Sequence, residues 1–191
     1  MDVATLVDAL TEHGVLLVQD ATLPSVAGLI VGAPVRGSWW GHPLAHTIYA
    51  RVNELADHAD VLRTILVSRK VTLVHRRLWG AILAVATARD AWQMDDLDPE
   101  AHALLTHVDR EGETRAKGAR AKALEDRMLV RATEVHTDSG AHAKVLTRWV
   151  DWPGAVGLRL PTPCDARATL ERTLDGLNAR WAARATLPWR R

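Results

Sequence analysis

The chain has one cysteine, Cys164, and no phenylalanine. A single thiol excludes an intramolecular disulfide and any zinc site built from several cysteines. Neither sign of charge is in excess: 24 lysines and arginines face 23 aspartates and glutamates, for a formal net charge of +1. Overall charge therefore does not imply nucleic acid, and any such inference rests on where the charges sit. No apolar run is long enough to span a bilayer, so no membrane partner is expected. Met1-Asp2 opens acidic and the first apolar stretch is interrupted by Asp8 and Glu12. That is unlike a signal peptide, and a cytoplasmic location is expected. There is no low-complexity segment, and no cofactor is expected.

What is present is a core-forming composition, 48% apolar and 25% charged over 191 residues, enough for one sizeable domain or two small ones. One element order occurs twice. Helical stretches and polar connectors lead first into Val61–Leu66, Ser68-Arg69-Lys70 and Val71–His75, and then into Leu129–His136, Thr137-Asp138-Ser139-Gly140 and Ala141–Trp149. Each of these reads as two β-rich runs around a tight turn. For residues 128–149 a continued helix is the competing assignment.

Helical spacing of Val3, Leu6, Val7 and Leu10 predicts a first helix stopped at His13-Gly14. Val15–Val18 reads as a short buried strand. Thr22-Leu23-Pro24 opens a second helix that ends at Gly32. Pro43 opens a third, to about Asp57, with Ala45, Ile48, Val52 and Leu55 inward and His46, Thr47, Ala50 and Arg51 outward. Helix, strand, helix, helix, strand, wing, strand is the order of a winged helix, in which the third helix enters a groove. Arg76 to about Trp92 reads as one helix. Asp95, Asp96 and Asp98 mark a break, and Asp98-Pro99 caps the next helix. Thr114 to Arg127 is polar and basic, with a short helix near Gly118–Asp126. The stretch from Trp152-Pro153-Gly154 to Pro161-Thr162-Pro163 reads as a connector. A last amphipathic helix, about Asp165–Ala183, carries Leu170, Leu174 and Leu177. The expected fold is α+β: tandem winged-helix-like units, helices with β-hairpin wings, plus a C-terminal helix. The expected divisions are 1–92, 93–152 and 153–191.

Val61–Arg89 contains Arg63, Arg69, Lys70, Arg76, Arg77 and Arg89 and no acid. A wing with Arg69 and Lys70 at its tip can contact phosphates and release counterions; an ordinary solvated turn is the plainer alternative. A second basic run comprises Arg115, Lys117, Arg120, Lys122, Arg127 and Arg131, where pairing with neighbours is equally expected. Trp39 and Trp40, beside His42, can stack on a base, or simply fill the core under the turn. His75 can meet phosphate when protonated, or serve as a strand-end hydrogen-bonding group. His136 and His142 flank Asp138-Ser139, but turn chemistry accounts for that group. No third ligand accompanies the two histidines, so no metal is expected.

Three phrases carry a resemblance: Ser38-Trp39-Trp40-Gly41-His42-Pro43, Val74-His75-Arg76-Arg77-Leu78-Trp79 and Glu134-Val135-His136-Thr137-Asp138-Ser139-Gly140-Ala141-His142. They resemble short bacterial proteins related to the AlkZ DNA glycosylases, over most of the chain up to about Trp152. The resemblance implies tandem winged helices and a link to the removal of alkylated or crosslinked bases from DNA. The AlkZ family's catalytic motif is Gln-x-Gln or Gln-x-Asp. Of the two glutamines here, Gln93 matches it formally in Gln93-Met94-Asp95, although midway along the chain. Gln19-Asp20 lies nearer the expected place with the wrong spacing. Gln93 and Asp95 are the catalytic expectation, their side chains on one strand face if that stretch is extended; a capped helix start is the simpler alternative.

The expected function is duplex-DNA binding related to repair. Trp39, Trp40, His42, His46, Thr47, Arg51, Arg69, Lys70, His75, Arg76 and Arg77 form the expected DNA surface. The alternatives are a non-catalytic winged-helix transcription regulator, homodimeric through the C-terminal helix, and an interaction module whose wing cations are neutralised by acids from elsewhere in the fold.

Overall fold

The computed structural model describes residues 1–136, 142–155 and 165–190. In chain order the elements are α1 (Val3–His13), β1 (Val15–Leu17), α2 (Val26–Val31), α3 (Ala45–Ala56), β2 (Val61–Ile65), β3 (Val71–His75), α4 (Trp79–Thr87), α5 (Ala91–Met94), α6 (Pro99–Glu111), β4 (Glu113–Ala116), α7 (Ala119–Asp126), β5 (Arg131–His136), β6 (His142–Thr147), α8 (Trp152–Ala155) and α9 (Ala166–Trp181). The protein is α+β, with two small antiparallel sheets ordered β1-β3-β2 and β4-β6-β5. No helix among the described residues is long and apolar enough to cross a membrane.

The chain forms two compact units, one from residues 1–79 and 167–191, the other from 80–166. These boundaries differ from the divisions expected at 92/93 and 152/153, and α9 belongs to the same unit as α1–α3.

In the first unit, Asp2 caps α1 by accepting the Thr5 N–H at 2.9 Å, and Gly14 ends the helix at φ +79°. The positive φ favours glycine at position 14, and a Cβ there would also have to displace the ends of the Arg77 and Leu78 side chains, at 2.9 and 3.1 Å. Ser25, the residue after Pro24, caps α2 through Oγ to the Gly28 N–H. Leu6 and Leu10 of α1, Ile48, Val52 and Leu55 of α3, and Leu16 and Leu73 of the sheet are buried together. The register runs Val15↔Val74 to Leu17↔Thr72 and Val61↔His75 to Ile65↔Val71. Helix α9 buries Leu170, Leu174 and Leu177.

In the second unit, Asp98 caps α6 by accepting the N–H groups of Glu100 and Ala101, with Pro99 in the first turn. Ala101, Leu105, Val108, Ala121, Leu124, Leu129, Val130 and Leu146 make its core. Sheet pairing runs Glu113↔Thr147 to Ala116↔Lys144, and Arg131↔Thr147 to His136↔His142. Residues 131–136 and 142–147 are strands and not a continued helix; the turn predicted at Thr137–Gly140 lies outside the described residues.

Three local expectations are corrected. The helix expected from Arg76 to Trp92 is a short 3₁₀ turn at Arg76–Leu78, then α4 and α5, separated where Arg89 takes φ +54°. Strand β4 appears where only polar connector was expected. Trp152-Pro153-Gly154 lies within α8, and the rest of the predicted connector, 156–164 with Cys164, is outside the described residues.

Candidate functional site

The first unit carries a concavity of about 600 Å³ where three connections meet. Val18–Ala21 follow β1, Val35–Gly37 and Trp39 belong to the α2–α3 connection, and Ile65 and Arg69–Val71 come from the β2–β3 turn. It is a broad concavity open to solvent, not an enclosed pocket. The geometry starts with Gln19. Its Nε2 donates to the backbone carbonyls of Val35, at 3.3 Å, and Gly37, tying the α2–α3 connection to the end of β1. Asp20 Oδ1 accepts the N–H groups of Thr22 and Leu23, at 2.8 and 2.9 Å, and its Oδ2 takes the Lys70 ammonium at 2.7 Å. Partial burial pushes the Asp20 carboxyl up, but Lys70 and the two backbone donors outweigh it and hold the group below its ordinary value.

Two guanidiniums at this concavity, Arg36 and Arg69, are exposed and have no hydrogen-bond or ion-pair partner among the described residues. Beside it, Trp39 is 8% exposed and Trp40 63% exposed. Their rings stack at 4.0 Å and 23°, and Tyr49 of α3 stands 5.7 Å from Trp40. Trp39 is thus a core anchor with one edge at the concavity, while Trp40 offers an indole face to solvent. His42 accepts the Leu44 N–H on Nδ1 at 3.1 Å, which opens α3. His46 and Thr47 are exposed on the first turn of that helix.

The other expected contact residues are engaged elsewhere. Arg51 pairs with Glu54 and donates to the Met1 carbonyl at 3.3 Å. Arg76 pairs with Asp60 at 2.9 Å. Arg77 donates to the Glu12 carbonyl at 3.2 Å. His75 Nδ1 accepts the Arg77 N–H at 3.3 Å; burial first, then the Arg77 charge, lowers its proton affinity. It caps the turn at the end of β3, and the lowered proton affinity favours its neutral form. Arg76 and Arg77 also lie at the far end of β3 from Arg69 and Lys70, roughly 20 Å away at about 3.3 Å per extended residue. The acid-free run Val61–Arg89 is therefore not one cationic patch. Lys70, Arg76 and Arg89 each meet a carboxylate from another part of the chain: Asp20, Asp60 and Asp109.

The second basic run is mixed: Arg115 and Lys117 are exposed and have no hydrogen-bond or ion-pair partner among the described residues, while the others are engaged or partly buried. Arg120 pairs with Glu100 and Lys122 with Asp126. Arg127 donates to the carbonyls of Trp92, Gln93, Asp95 and Asp96. Burial lowers the pKa of Arg131, whose Nε has no partner.

Gln93 and Asp95 are not a pair on a strand face. Gln93 lies in α5 and is 0% exposed. Its Oε1 accepts the Asp90 N–H at 3.0 Å, closing a capping box. Its Nε2 donates to the carbonyls of Ala86 at 3.3 Å and Arg127 at 3.1 Å. Asp95 is exposed at the end of the helix. The side chains of His136 and His142 lie outside the described residues, and among the described residues no cluster suited to a metal occurs.

Sequence reasoning missed Arg36 and Tyr49. A lone cation in a Pro/Gly turn carries no signal until the fold brings that turn to the β2–β3 turn. Comparison of the chain with protein-family models, with curated proteins and with solved structures gave no match.

Proposed function

We propose that this chain is a duplex-DNA-binding protein of winged-helix type, whose phosphate contacts are made by Arg36 and Arg69 on either side of the concavity. The observation that carries this is the pair of guanidiniums left without counter-charge at one concavity, where the neighbouring Lys70 is already paired with Asp20. Such groups gain most from a polyanion, because binding releases condensed counterions at little cost in broken ion pairs. The exposed Trp40 face and the first turn of α3, with His46 and Thr47, extend the same connection and suit contact with bases.

The element order α1-β1-α2-α3-β2-β3, with sheet order β1-β3-β2, supports a winged-helix assignment for the first unit. The second repeats the sheet order but has only α7 between β4 and β5. A role in repair follows from the resemblance alone, and the buried Gln93 amide gives base excision no support. A regulator that dimerises through α9 is the second reading, but the leucine stripe of α9 is already buried within its own unit. A dimer would need another face.

The test is a salt titration of duplex binding. Arg36→Ala and Arg69→Ala each lower the slope of log K against log salt by about 1, whereas Arg76→Ala leaves it unchanged. Equal slopes for all four proteins would remove the proposed interface. Incubation with duplexes carrying alkylated bases, scored for abasic sites, tests the repair link.

A further inference from the structure

The β2–β3 turn is held in an uncommon conformation, and the residues after α9 hold it. Ser68 (φ +50°) and Arg69 (φ +56°) are consecutive non-glycine residues in the left-handed region, as a type I′ hairpin turn requires. The Lys70 N–H closes the turn on the Val67 carbonyl at 2.9 Å. Neither serine nor arginine favours this geometry; asparagine and glycine do. From below, the buried Thr72 hydroxyl accepts the Val67 N–H at 3.1 Å and donates to the Lys70 carbonyl at 3.0 Å. The Ser68 N–H is satisfied only from the C-terminal segment: it donates to the Thr186 carbonyl at 2.8 Å, and the Thr186 N–H returns to Ser68 Oγ at 3.2 Å.

That segment is itself built in. Asn178 of α9 receives the Ala185 N–H on Oδ1 at 3.0 Å and donates Nδ2 to the Ala185 carbonyl at 2.9 Å. Leu187, 2% exposed, lies with Leu66, Val67, Leu78, Leu170 and Leu174. Beyond it the Trp189 indole donates to Glu171 at 2.8 Å, and Arg190 pairs with Asp175 at 2.7 Å and Glu171 at 3.0 Å.

We propose that residues 183–190 are a positioning strap for the wing: the Ser68–Thr186 pair fixes the left-handed turn and so aims Arg69 at the concavity. Resting on the duplex-binding assignment above, this makes Thr186, Asn178 and Leu187 positioning residues for a contact they do not themselves make.

The experiment compares full-length wild type with Asn178→Ala and Leu187→Ala by amide hydrogen exchange and by binding to a plain DNA duplex. The Ser68 amide exchanges at least about tenfold faster in both variants, while the Leu73 amide in the middle of the same sheet changes no more than global stability requires. Duplex affinity falls about fivefold, the scale of one displaced charged contact, and falls no further when Arg69→Ala is already present. Ser68→Asn, which tolerates positive φ, restores more than half of the affinity lost in Leu187→Ala. Unchanged protection of the Ser68 amide overturns the strap, and so does an affinity loss that persists in the Arg69→Ala background or that Ser68→Asn does not rescue. If wild type binds no duplex yet the Ser68 amide still responds, the strap stands and the duplex assignment falls.

Discussion

Gln93 illustrates how a residue picked for chemistry can be consumed by architecture. Its amide satisfies a helix N-cap and two carbonyls at once, in a place closed to water. Replacing it with alanine strands those groups. Gln93→Ala should lower the unfolding free energy by about 2–3 kcal/mol, seen as a lower urea midpoint at unchanged slope, with duplex affinity of the folded protein unaltered. Full stability with lost binding would return Gln93 to a functional role. At Asp20 the sign of the pH effect follows from its lowered pKa. The folded state favours the ionised carboxylate, so its contribution is fully present above the ordinary carboxylate pKa and disappears as pH falls through the lower folded value. Asp20→Asn should therefore be less stable than wild type near neutrality, and the gap should close in acid. A gap that widened in acid would contradict the Lys70 pairing.

At the scale of elements, legibility in the sequence depended on whether the signal was local. The β2–β3 hairpin was legible because β-rich runs flank a polar turn, and α9 because its leucines recur at helical spacing. Strand β4, Glu113-Thr114-Arg115-Ala116, was not, because nothing in four mostly polar residues favours a strand until β6 supplies a partner. Charge failed for the same reason. Lys70 and Asp20 are fifty residues apart, so a run without acids says nothing about which acids the fold will bring to it. Arg127 carries the lesson furthest, since a residue read as part of a basic surface instead gathers the carbonyls at the end of α5. Arg127→Met should loosen 92–96 and cost about 1–3 kcal/mol, measured as faster amide exchange at Asp95 and Leu97. Leu174→Ala should cost about 2–5 kcal/mol through the first unit's core, which thermal unfolding would read directly.

For the whole molecule, the decisive fact is that the first unit is assembled from two distant pieces of chain. The sequence divisions at 92 and 152 would sever them. A 1–92 fragment lacks Leu170, Leu174 and Leu187, which lie against Val15, Leu66, Val67 and Leu78. It should fail to give a cooperative thermal transition, whereas residues 1–79 joined by a short linker to 167–191 should recover one. A cooperative 1–92 fragment would show that the α9 contacts are dispensable. The same discontinuity sets a timetable on the ribosome. Residues 80–166 leave the ribosome before 167–191, so the inserted unit can mature while the first waits with an open core. Ribosome-bound chains cut at residue 166 and followed by a spacer long enough to clear the exit tunnel should therefore resist protease within α6 and α7 and be cut within 1–79, until 167–191 are supplied.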